Sequence, residues 1–260
     1  MGMTTKEEDS ISKLVSCTTH DYILFFTNKG KVYQKRAWQI QEGSRKSKGQ
    51  AIINLIDIEQ DEEVKTILNY SSDINPKKHY ILMATENGKV KKTALEDFDN
   101  IRTSGIIAIN LKEDDQLIQA KLSNGDKHVI LVTEKGKSIR FSEEDVRSMG
   151  RTAMGVKGID LKKNDKVISM ETIPEEKPVP EDKRRKLFRH LLVISENGLG
   201  KRTDAYKYPL QKRGGVGVKV ANINKKTGDV ACAQIVDEDA EKIVVTSDKA
   251  QVIKLPVKNI

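Results

Sequence analysis

Cysteine is almost absent: Cys17 and Cys232 are the only two in 260 residues, and neither has a Cys-x-x-Cys partner. They supply neither a disulfide framework nor a cysteine-rich metal site, and both are expected as reduced thiols in apolar core segments. No apolar run approaches the roughly 20 residues that cross a bilayer as a helix. Met1 to Ser10 lacks the basic-then-apolar order of a signal peptide, so a cytosolic protein is expected. No stretch keeps a helical period, although Glu143 to Arg147 has the composition of one turn. Neither a Gly-x-Ser-x-Gly elbow nor a P-loop occurs, so no catalytic residue and no cofactor is expected.

What is present is charge. Charged residues make up 32% of the chain, and 46 Lys and Arg against 38 Asp and Glu leave a formal net charge of +8. A basic excess of this size favours a polyanionic partner, nucleic acid or an anionic surface.

A repeat organises the sequence. An apolar run ending in a tight turn occurs at Ile23–Gly30, Ile81–Gly88, Ile130–Gly136 and Leu191–Gly198, and again at Ile243–Ala250 with alanine for glycine. Asn-Gly and Lys-Gly between β-rich runs are hairpin signals, because glycine accepts the positive φ of a two-residue turn. Ten residues after each turn stands an apolar anchor: Ile40, Phe98, Val146, Tyr208 and Ile260. A second glycine follows at Gly49, Gly105, Gly155 and Gly217, and five residues later comes Asn54, Asn110, Asp160 or Asn222, a residue type suited to a side-chain-closed turn. Each unit closes with a further β-rich run: Val64–Leu68, Leu117–Leu122, Val167–Ile173 and Val230–Val236.

Units of about fifty residues with this content are the size of propeller blades. The expected fold is therefore all-β, a propeller-like disc of four-stranded blades, with residues 1–260 as one repeat domain. Residues 174–190, with three prolines and a Lys183–Lys186 basic run, read as an exposed insertion. If Ile11–Cys17 is a closing strand and each closing strand pairs with the hairpin after it, five blades are complete.

Four residues after each turn stand Gln34, Lys92, Arg140, Arg202 and Lys254, and Lys31, Lys89 and Lys137 follow the turn glycine directly. Equivalent positions in a radial repeat share one height, so these cations are expected to form a positive belt on the rim. Lys35, Arg36 and Lys201 flank the belt. The loops before the second glycine add Arg45, Lys46, Lys48, Arg102, Arg147, Arg151, Lys212 and Arg213. Such a belt suits a bent duplex held by phosphate contacts that read no bases.

Gln211-Lys212-Arg213-Gly214-Gly215-Val216-Gly217 is a basic loop whose glycines would let the backbone approach a phosphate. It resembles the box Gln-Arg-Arg-Gly-Gly-Lys-Gly of the gyrase A C-terminal domain family. The segment Thr19–Tyr33 is similar to that family's second repeat, and the likeness runs from Gly2 to Ile260. It implies a β-pinwheel, in which neighbouring blades exchange strands and double-stranded DNA wraps the outer edge. It also implies partners, the rest of gyrase A and the gyrase B protein, and a catalytic tyrosine and ATP site outside this chain. The chain departs from the box at Lys212 and Val216. The family's principal box lies in a first-repeat hairpin that would precede Met1, and the family links that box to negative supercoiling. The related topoisomerase IV domain shares the fold with a reduced box and is the near alternative. A protein-interaction propeller would carry Trp-Asp dipeptides, and none occurs.

The remaining features have plainer expectations. His20, His79, His128 and His190 each precede or open an apolar run and recur with the repeat, which separates them and argues against a shared metal site. Asp57–Glu63 and Asp237–Glu241 read as solvated turns, and Trp38 as an apolar or half-buried position.

Overall fold

The structure is a computed structural model and describes residues 13–43, 49–175, 189–237, 240–246, 252–257 and 260. The first hairpin is β1 (Tyr22–Thr27) and β2 (Lys31–Arg36), followed by β3 (Val64–Tyr70). The second unit comprises β4 (Tyr80–Thr85), β5 (Lys89–Ala94), β6 (Ile106–Ile107) and β7 (Leu117–Ser123). The third holds β8 (Lys127–Thr133), β9 (Lys137–Ser142), β10 (Val156–Lys157) and β11 (Val167–Pro174). The fourth holds β12 (Arg189–Ser195), β13 (Gly200–Asp204), β14 (Val218–Lys219) and β15 (Val230–Asp237), and β16 (Lys242–Thr246) with β17 (Val252–Pro256) makes a last hairpin. Each of the first four hairpins runs into a short 3-10 turn, including the one anticipated at Glu143.

These strands form five antiparallel sheets, ordered β3-β1-β2-β6, β10-β5-β4-β7, β11-β8-β9-β14, β13-β12-β15 and β16-β17. The all-β, propeller-like expectation holds, but one pairing rule is corrected. Each closing strand pairs with the hairpin before it, as in Tyr22↔Tyr70 and Leu24↔Leu68 between β1 and β3. The cause lies at the hairpin tip, where the amides of Asn28, Glu86, Glu134 and Glu196 donate to carbonyls just ahead of their own closing strands. Residues 13–17, expected to belong to a closing strand, are in no strand.

The fourth strand of a sheet is lent by the next unit. Ile106 and Ile107 pair with Val32 and Lys31, Val156 and Lys157 with Val90 and Lys89, and Val218 and Lys219 with Ser138 and Lys137. Glycine makes this exchange possible. Gly155 has φ +80°, and a Cβ there would sit 2.6 Å from the Val90 carbonyl oxygen. Gly217 has φ +68°, and its Cβ would collide with the Ser138 carbonyl. The turn glycines complete the joint, since the Gly30 carbonyl accepts from the amides of Ala108 (2.8 Å) and Ile109 (3.1 Å) of the next unit.

The uninterrupted apolar runs of the hairpins follow from burial on both faces, with alternate residues entering different seams. Leu24 and Phe26 pack with Ile81, Met83 and Phe98 between the first and second sheets, while Ile23 and Phe25 face Ile56 and Ile58. Leu82 and Ala84 meet Leu131 and Phe141 in the next seam, and Ile130 and Val132 meet Leu191 and Tyr208 in the one after. Each fully buried Leu, Ile or Phe contributes roughly 1.5–3 kcal/mol.

Closing strands of successive sheets are bonded to one another. Ala120 N donates to Thr66 Oγ1 (3.2 Å), Met170 N to Gln119 Oε1 (2.8 Å) and Ser169 Oγ to the Ala233 carbonyl (2.6 Å). The sheets therefore converge at β3, β7, β11 and β15, and the opposite edges, carrying β6, β10 and β14, form the outer rim.

Several expectations need correction. The Glu62 side chain is fully buried, accepting from Thr27 Oγ1 (3.1 Å) and Tyr33 OH (2.6 Å). Asp165 likewise accepts from Thr133 Oγ1 (2.8 Å) and the Lys135 amide (3.0 Å), so in these two units an acid of the later loop closes the hairpin tip. Trp38 is 62% exposed, because the neighbouring Ile40 supplies the contact with the core. Both thiols are free and exposed, Cys232 lying beside Ala233, which takes the inward position on β15. The expected insertion begins and ends within strands, since Pro174 closes β11 and Arg189 and His190 open β12. Its Lys183–Lys186 run lies outside the described residues, as does Ala250. Among the described residues no helix is long and apolar enough to cross a membrane, and no group of three His, Cys, Asp or Glu converges as a metal site.

Candidate nucleic-acid interface

The position four residues after each hairpin turn does not form an exposed belt. Lys92 is 8% exposed, and its Nζ donates to the Glu143 carbonyl (3.1 Å) while lying 5.3 Å from the Tyr80 ring centre. Arg140 is also 8% exposed, with its guanidinium 5.6 Å from the Tyr206 ring. The loop of the following unit covers both, since the Met149 amide donates to the Lys92 carbonyl (2.9 Å) and the Gln211 amide to the Arg140 carbonyl (2.8 Å). Burial lowers the Arg140 pKa and raises that of Glu143. Gln34 is bonded to Tyr70 OH, Arg202 is half-buried and Lys254 is exposed.

The position directly after the turn behaves differently, because the lent strand brings a second residue beside it. Lys89 on β5 stands opposite Lys157 on β10, and Lys137 on β9 opposite Lys219 on β14. Directly opposed residues of an antiparallel pair project on one face with Cβ atoms about 4.5–5.5 Å apart. These two rim edges thus each root two lysines side by side on one face, and like charges directly opposite are unfavourable in the absence of an anion. Among the described residues, only the outer lysine of each pair has a side-chain acceptor. Lys157 Nζ lies 2.7 Å from Asp160 Oδ1 and Lys219 Nζ lies 2.7 Å from Asn222 Oδ1. In these two units the recurring Asx side chain thus accepts from a lysine three residues earlier, in place of the expected local backbone turn. In the first unit the partner of Lys31 is Ile107, and Lys31 is bonded to Glu59, so the doubling is specific to the second and third sheets.

Lys157 and Lys219 do not stand out in the sequence. Their signal is a lysine two residues after the second glycine, in two units of four. It becomes meaningful only when strand exchange sets those residues opposite Lys89 and Lys137.

Other cations divide into engaged and open groups. Arg36 stacks 3.4 Å over the Tyr22 ring and donates to the His20 carbonyl (2.8 Å). Arg213 donates through Nε to the Asp145 carbonyl (2.8 Å) and through Nη1 to the Lys157 carbonyl (3.0 Å), locking the box-like loop onto the third unit. Within that loop the Gly214 amide is bonded to the Gly158 carbonyl (2.6 Å), and Gly217 serves the strand crossing. Lys212 projects outward with its side chain 88% exposed, paired with Asp145 at 2.9 Å. Arg102, Arg147 and Lys201 are exposed, Lys35 is half-buried, and Arg151 reaches the Ile107 carbonyl at 3.3 Å. Arg45, Lys46 and Lys48 lie outside the described residues.

Lys91, absent from the expected cation set, is fully buried and holds two loops together. Its Nζ donates to the carbonyls of Ala108 (2.7 Å) and Arg151. Burial, with the charge of Arg151 adding, pushes its pKa down to about 8.

Comparison with known proteins matches this arrangement unit by unit. A family model described as the DNA gyrase C-terminal domain, beta-propeller, fits residues 21–70, 79–124, 127–174 and 189–236, each stretch running from a hairpin to its own closing strand. The DNA gyrase A protein of Staphylococcus epidermidis strain ATCC 12228 is 41% identical over 259 residues, covering 100% of this chain, and the chain spans 28% of that protein. The crystal structure of a DNA topoisomerase IV C-terminal domain superposes with TM-score 0.81 at 27% identity, covering 99% of this chain and 76% of the other. A DNA gyrase A C-terminal domain superposes with TM-score 0.75 at 29% identity, covering 98% and 81%. Four family units in register with four observed sheets establish that the chain belongs to the DNA gyrase C-terminal domain family of beta-propellers.

Proposed function

We propose that the chain is a non-catalytic module that binds double-stranded DNA along its outer rim through phosphate contacts and bends the duplex around it, in support of supercoiling. The observation that carries this reading is the doubled lysine at the edges of two adjacent sheets, Lys89 with Lys157 and Lys137 with Lys219. Two lysines on directly opposed strand positions are unfavourable to the fold and favourable to a phosphate, whose charge offsets their like sign. Arg102, Arg147, Arg151, Lys201 and Lys212 extend the same surface. Lys92 and Arg140 leave the proposed contact set because the protein already uses them. The stack β3–β7–β11–β15 supports treating residues 1–260 as one repeat domain.

Within a longer chain such as gyrase A, the module would work in the cytoplasm with the rest of that protein and with gyrase B, and needs no cofactor of its own. The departures at Lys212 and Val216, together with the TM-score of 0.81, favour keeping a topoisomerase IV-type role as the second reading.

Binding to a labelled duplex, titrated at several salt concentrations, tests the proposal. Lys157→Ala with Lys219→Ala should weaken binding and lower the slope of log affinity against log salt by roughly 2, about 0.9 for each phosphate no longer neutralised. An unchanged slope in the folded variant would remove these lysine pairs from the interface.

A further inference from the structure

The same rim loops hold aliphatic side chains in water. Met154 is 38% exposed and Val216 is 58% exposed, and each stands one residue before the glycine at a strand crossing. Single exposed aliphatics are ordinary on protein surfaces and need no role. These two differ in being equivalent in the repeat, held by bonds to the backbone just before them, and flanked in the sequence by cations. The carbonyl of the residue before each is tied to the Asx residue of the preceding unit, Ala153 by the Asn110 amide at 3.4 Å and Gly215 by the Asp160 amide at 2.9 Å. Arg151 and Lys157 flank Met154, and Lys212 and Lys219 flank Val216. Ile107, 44% exposed and opposite Lys31, adds a third aliphatic to the rim of the first sheet.

A surface that alternates ammonium groups with fixed aliphatic tips fits a partner with charged edges and an apolar floor between them. The minor groove of DNA has that character, with phosphates on both lips and sugar and base edges inside. Each tip stands three positions before the lysine of its lent strand, Met154 before Lys157 and Val216 before Lys219, with the positive-φ glycine between them, so an apolar tip and an ammonium share each rim loop. We propose that Met154 and Val216 are wedges that enter the minor groove where it faces the rim and loosen base steps there, so that the protein selects bendable DNA without reading bases. Proteins that bend duplexes commonly use apolar side chains this way, at pyrimidine–purine steps whose unstacking is cheap.

This inference rests on the DNA-binding reading above, so its test measures binding and bending separately. A duplex with fluorophores at its ends reports the bend by energy transfer, and 2-aminopurine beside a central TA step reports unstacking. The chain should raise both signals. Met154→Ser with Val216→Ser should lose at least half of the energy-transfer change and most of the 2-aminopurine increase, while the salt slope keeps its value. A milder pair, Met154→Gln and Val216→Thr, guards against a folding defect and should show the same loss. Full bending and unstacking by both variants would overturn the wedges alone. Failure of the unaltered chain to bind DNA would overturn the function and the wedges together.

Discussion

Lys89, Lys91 and Lys92 lie within four residues on one strand and meet three different fates: rim, buried clamp between two loops, and buried donor to the Glu143 carbonyl over the Tyr80 ring. Sequence spacing marks Lys92 and Arg140 as an exposed belt because it fixes which repeat positions are equivalent and is silent about which loop lies over them. Reversal of Arg140 should accordingly act on stability. Arg140→Glu is expected to cost about 3–5 kcal/mol, the usual cost of a buried charge left without a partner, and to lower the denaturation midpoint sharply. Lys201→Glu, at an exposed site, should leave the midpoint nearly unchanged; equal midpoints for the two variants would contradict the burial assignment.

Lys91 gives a prediction in pH. Its folded pKa of about 8 lies below the ordinary value of 10.5, so between these values the unfolded chain holds a proton that the fold has shed. Stability from this group therefore rises with pH from about 8 and is least below it, by up to roughly 3 kcal/mol over the full window. Tyr70, pushed by burial up to about 12, opposes this only above its ordinary 10, where its ionisation begins to cost the fold. Between pH 7.5 and 9.5 the stability of the unaltered chain should improve relative to Lys91→Met in urea denaturation. A constant difference would show that Lys91 keeps an ordinary pKa.

At the scale of elements, the hairpins were legible because continuous apolar runs ending in Asn-Gly or Lys-Gly have few other readings. The apolar anchors were legible too, and Phe98 and Val146 are fully buried as their spacing implied. Strand partnership was not legible, since a closing strand reads the same whether it joins the hairpin before or after it. The lent strands escape notice because β6, β10 and β14 have two residues each, too few to show a period. Gly217, which the box-like loop casts as a phosphate-approach position, answers first to the neighbouring backbone, as does Gly155. Gly155→Ala and Gly217→Ala should each cost on the order of 1–3 kcal/mol, combining positive-φ strain with a backbone collision. Gly49→Ala, where an added Cβ meets nothing within 4 Å, should change stability little. Similar costs at all three sites would mean that the crossings are looser than described.

For the whole molecule, convergence of the sheets at the closing strands puts the lent strands outermost, and this turns local lysine pairs into a surface. The net charge of +8 said that a polyanion was welcome, and the topology says along which edge. Charge is not spread evenly along that edge. The first sheet neutralises Lys29 and Lys31 with Asp61 and Glu59, whereas the second and third carry the doubled lysines. A duplex following the rim should therefore be held most tightly over the second and third sheets. The central claim, that the rim bends duplex DNA around itself, is tested most directly by topology. Nicked circular plasmid is sealed by ligase with increasing amounts of the chain, deproteinised, and its linking number read on a gel. A progressive shift of one sign, reduced by Lys157→Ala with Lys219→Ala, is the predicted result; an unshifted distribution at concentrations where the plasmid is fully bound would contradict it.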